Sequence, residues 1–219
     1  MSSKPHPLKK KLTADFEADK KAFHEAMAKA QGHIDAVTTE IDKLRAELKT
    51  ETAGAKVKTM ARVNELTHNL DAARKDQQDR IEAYLKDLHT DIESVNAELK
   101  HASAEGKEAV EATAKAVHAE YDAARKELTA SLEAELAEWK ARIGATLDAA
   151  AETTAAAKAV IQVKMADLHA KHEAAQKKLH ALKQANAAAF GELHRGVRTA
   201  IGEVKTALQH AGADIAAAK

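Results

Sequence analysis

Large apolar side chains return along this chain at helical spacing, separated almost everywhere by alanine or by charge. Between Leu88 and Ile143 one of them recurs at every eleventh position: Leu88, Leu99, Val110, Tyr121, Leu132 and Ile143. A second column follows seven residues behind, through Val95, Val117, Leu128 and Trp139, broken only at Gly106. Eleven residues complete three helical turns at about 3.67 residues per turn, so both columns stay on one face of a nearly straight α-helix. Upstream, Ile34, Val37, Ile41, Leu44 and Leu48 keep the alternating three- and four-residue steps of a heptad seam. Downstream the eleven-residue step resumes in Leu168, Leu179, Phe190 and Ile201, beside Leu182, Leu193, Val204 and Ile215.

These periods predict an all-α protein. Both prolines, Pro5 and Pro7, lie at the start, so residues 1–7 read as a disordered leader and nothing after them forces a helix to stop. A continuous or nearly continuous helical region is expected over residues 8–215, with 216–219 a frayed end. Its stripe thins near 50–56, 101–107 and 148–159, where small and polar residues replace large apolar ones. A lone glycine costs a helix only about 1 kcal/mol relative to alanine, so none of these stretches is a strong turn signal. The spacing of Leu99 and Val110 stays in phase across Gly106, which favours continuity there. The expected architecture is a coiled-coil rod with a heptad and hendecad seam, the alternatives being a long antiparallel hairpin or a four-helix bundle. A shift of 51 residues lays Ile34–Leu48 on Leu85–Leu99, an internal similarity that any two heptad stretches share in part.

Composition narrows the picture. Aromatic residues make up 3 % of the chain and charged residues 31 %, while alanine accounts for roughly a quarter of all positions. That is the make-up of long helices rather than of a compact globule. Lysine plus arginine equal aspartate plus glutamate at 34 each, which leaves no net field to draw the chain as a whole to nucleic acid or to an anionic membrane. Cysteine is absent, which excludes disulfides, thiolate metal sites and a cysteine nucleophile. No run of about 18 apolar residues suggests a membrane span, and Met1–Pro7 leads into Lys9-Lys10-Lys11 rather than an apolar signal segment, so a cytoplasmic location is expected.

Chemistry-bearing constellations are sparse. Glu65/His68 and Glu98/His101 have the Glu-x-x-His step that can set two metal ligands on one helix face, yet Leu66, Leu70 and Leu99 take the inward positions. His169, His172 and Glu173 lie one turn apart but flank Leu168 with fewer than four ligands in reach. Lys4 and Lys9–Lys11, next to Phe16 and Phe23, could anchor to an anionic surface, although a solvated leader is the commoner use of such a cluster. No phosphate-binding glycine loop, nucleophile elbow or zinc-protease motif occurs. No enzyme activity, cofactor or metal is therefore expected. Asn186, in line with Val197 and Leu208, is the one candidate for a buried register-setting asparagine.

The eleven-residue amphipathic pattern of Leu168, Leu179, Phe190 and Ile201, set among many alanines, resembles the helices of apolipoprotein A/E-type proteins and bacterial phasins. That resemblance spans most of the chain as a pattern and implies a coat on lipid or polyester particles. The residues themselves point first to a non-enzymatic structural protein that self-associates through its seam into a rod, scaffold or filament. That seam comprises Leu88, Leu99, Val110, Val117, Tyr121, Leu128, Leu132, Trp139 and Ile143, then Leu168, Leu179, Leu182, Phe190, Leu193, Ile201 and Val204. A homo-oligomer, with a lipid or polymer surface as the other partner, is the expectation these residues support.

Overall fold

The structure is a computed structural model that describes residues 7–102, 104–150 and 155–217. All ordered elements among them are helices: α1 (Pro7–Glu47), α2 (Ala53–His101), α3 (Ala104–Ala150), α4 (Ala155–Gln184) and α5 (Ala187–Ala217). The leader before Pro7, the thin stretch at 151–154 and the last two residues lie outside the described residues. The chain divides into two compact units, Met1–Leu128 and Thr129–Lys219, and the division falls within α3.

Helical continuity ends at Glu47 and again at His101. Leu48 to Thr52 form a turn in which Thr50 donates both its backbone N–H, at 2.9 Å, and its hydroxyl, at 3.0 Å, to the Glu47 carbonyl. Thr52 is extended, at φ −71° and ψ 157°, and Ala102 leaves the helical basin at φ −70° and ψ 133°. Gly106, through which the helix was expected to run from upstream, lies near the beginning of α3 instead. The physical reason is a balance of magnitudes. Interrupting an alanine-rich helix forfeits a few hydrogen bonds, whereas folding back buries many seam residues at about 1.5–3 kcal/mol each.

In the first unit α1 and α2 run antiparallel, since partners on α2 fall in number as those on α1 rise. Phe23 stacks on Tyr84 with centroids 3.9 Å apart, Gln77 donates to Gln31 at 3.0 Å, and Arg62 pairs with Glu40 at 3.2 Å. Toward the turn the hairpin is held by Ile34, Val37, Ile41, Leu66 and Leu70, with Leu44, Val63 and Ala73 packed against them. The first half of α3 joins through Glu120, which pairs with Lys20 and His24 of α1.

The second unit combines the end of α3 with α4 and α5. His172 of α4 bonds the Leu136 carbonyl of α3 at 2.9 Å, and Lys183 pairs with Glu133. Lys164 of α4 reaches Asp214 of α5, so these two helices also run antiparallel. Ile161, Met165, Leu168 and Leu182 of α4 and Leu132, Leu136 and Ile143 of α3 are all buried. Between α4 and α5 the chain breaks at Ala185 and Asn186, a break for which no glycine or proline gives notice. Asn186 caps α5, its side-chain oxygen accepting the Ala189 N–H at 3.0 Å, the position that favours asparagine. It is exposed at a helix start, not buried at a seam position setting register.

Candidate functional site

The sixteen seam residues are where the sequence places its functional weight, and fourteen of them are buried within the single chain, with Leu99 and Leu193 half-buried. Their partners are other helices of the same molecule. Trp139, 3 % exposed, lies beneath the Arg142 guanidinium, 4.2 Å from its ring centroid, and Arg142 in turn grips Glu138 at 2.6 Å.

The candidate metal pairs are dispersed. Glu65 pairs with Arg62 at 3.0 Å, and His68 and His101 face solvent. His169 is exposed whereas His172 is buried against the Leu136 carbonyl, so the two do not converge. Among the described residues no group of three or more histidine and acidic side chains could hold a metal ion. The Lys9–Lys11 side chains lie outside the described residues.

A polar cluster that spacing alone did not mark lies inside the first unit. Glu120 is only 5 % exposed, and it accepts from His24 Nε2 at 2.7 Å and from Lys20 at 3.0 Å. Tyr84 Oη is buried nearby, and burial, followed by the Glu120 carboxylate, pushes the phenol well above the usual tyrosine range. Burial also raises the Glu127 carboxyl, an effect that His24 opposes and Glu120 reinforces. Asp91 is raised by burial and then by the neighbouring Asp19, Asp87 and Asp15. The cluster joins three helices electrostatically.

An open groove of about 590 Å³ between α4 and α5 is lined by Lys164, Lys171, Thr199, Thr206 and His210, but both ammonium groups are engaged, by Asp214 and Asp167. Few large apolar side chains face outward: Val57 and Met60 in the first unit, and Leu147, Val160 and Val163 in the second. Among the described residues no helix is long and apolar enough to cross a membrane. No protein-family model matches the chain, and neither does any curated protein or solved structure.

Proposed function

We propose that the protein is a non-enzymatic amphipathic coat that keeps its apolar helix faces folded inward until it meets the surface of an apolar particle. The observation that carries this reading is the burial of the seam within the chain's own bundles. A rod built on that seam would need the same side chains twice. Polar side chains also interrupt the apolar packing of the interior, among them Arg74, Gln77, Gln78, Glu120, Thr129, His172 and His194. Exchanging such a core for a particle surface forfeits less packing than opening a wholly apolar one.

The lone tryptophan provides the test. Trp139 starts inside the second unit, so transfer of that unit onto a particle brings its indole to lipid. Mixing the protein with a triglyceride emulsion carrying brominated lipid should quench Trp139 emission while helicity stays high. Undiminished emission at saturating emulsion would sink the coat.

A second reading, the self-associating coiled-coil scaffold, is favoured by Val57 and Met60, exposed three residues apart on α2. It predicts a light-scattering mass that climbs with protein concentration in plain buffer and emission indifferent to the emulsion.

A further inference from the structure

Although the chain is electrically neutral as a whole, α4 carries six lysines against two acidic residues. Three of these lysines are committed: Lys164 to Asp214, Lys171 to Asp167 and Lys183 to Glu133. Lys158, Lys177 and Lys178, near the two ends of the helix, are exposed and have no ion pair among the described residues. The core side of α4 is set by Ile161, Leu168 and Leu179. On the side away from them Val163, Ala166 and Ala170 follow one another at helical steps, all exposed, with Val160 beside them. Val160 and Val163 are 56 % and 73 % exposed, and among the described residues the other exposed large apolar side chains are Val57, Met60 and Leu147.

We propose that this outward face of α4 is the docking face for an anionic lipid surface, with Lys177 and Lys178 supplying the attraction and Val160 and Val163 the apolar contact. The inference rests on the coat reading and names the charge of the surface it first meets. Charge decides against a second copy as the occupant, because two α4 helices laid face to face would each bring a net charge of about +2 by formal count once the paired lysines are set aside. An anionic headgroup layer complements the same field, and each lysine near such a surface strengthens attachment about fivefold. The valines then enter the headgroup boundary as the apolar side of an interfacial helix.

Cosedimentation of the full chain with vesicles provides the test, using phosphatidylcholine alone and a seven-to-three mixture with phosphatidylglycerol. The wild type should bind the mixed vesicles at low salt and leave the neutral ones. Lys177→Gln/Lys178→Gln should weaken binding by about twenty-five-fold, and Val160→Ser/Val163→Ser should weaken it at unchanged charge. A Lys9→Gln/Lys10→Gln/Lys11→Gln variant should bind as the wild type does. Full binding by both α4 variants, or loss confined to the N-terminal variant, would overturn the proposal. So would a dimer in light scattering that the α4 substitutions dissociate. If the wild type still quenches on neutral emulsion while the α4 substitutions leave anionic vesicle binding intact, the docking face is wrong and the coat reading stands. Absence of both signals removes the two together.

Discussion

At the scale of single residues, burial decides what each seam position is worth. Leu132 is fully buried between helices, whereas Leu193 keeps part of its surface in water. Leu132→Ala removes apolar area and leaves a cavity, so it should lower the unfolding free energy by about 2–5 kcal/mol in urea titration, and Leu193→Ala by clearly less. Glu127 works in the opposite sense. Its carboxyl is raised by burial, so the folded chain holds a proton that the unfolded chain has already released. Stability from this group therefore declines as pH rises from the ordinary carboxylate range through the higher folded value. Glu127→Gln should raise the urea midpoint at pH 7 and leave it nearly unchanged at pH 4, provided the His24–Glu120 pair is kept. A lower midpoint at pH 7 would mean that the attraction of His24 outweighs burial.

At the scale of elements, the same helices obey local signals of very different strength. α5 begins at Asn186 because the asparagine carboxamide satisfies the Ala189 N–H, which would otherwise be left open at the helix start. Asn186→Ala should cost the second unit about 0.5–2 kcal/mol and raise hydrogen exchange over the first turn of α5, while glycine costs less. The helical class was legible in the spacing of Leu88, Leu99 and Val110, because a period of 3.67 residues fits no strand. Where the chain turns was much less so. Thr50 and Ala102 lie in stretches where large apolar residues run out, but such a stretch stays helical or turns according to what the flanking seams can bury, and that is a tertiary quantity. Asn186 sits in phase with Val197 and Leu208, so the pattern assigned it to the seam although its short amide also suits a cap. Val160 and Val163 fall out of phase with Leu168 and Leu179, and that mismatch was the available signal for an outward face. Glu120 gave no signal at all, since its burial comes from helices almost a hundred residues away in sequence.

At the scale of the molecule, what matters is how firmly the bundles hold the seam. Gln77 illustrates the balance: it is buried within the first unit, and its amide reaches Gln31, which is exposed. Gln77→Leu would trade the hydrogen bonds of a desolvated amide for buried apolar surface, and the bundle should gain about 1 kcal/mol. If inward-held helix faces are exchanged for a particle surface, that gain has to be returned when the first unit opens. The variant should therefore show a higher urea midpoint and slower adsorption, followed as surface pressure at an oil–water interface, with the same final pressure. Equal adsorption rates with a raised midpoint would place the rate-limiting step outside the first unit. Faster adsorption would contradict exchange altogether, because a more stable bundle cannot open more readily by the same route. Interior polar side chains would then serve a folded protein that stays closed, and its exposed residues, not its seam, would carry its contacts.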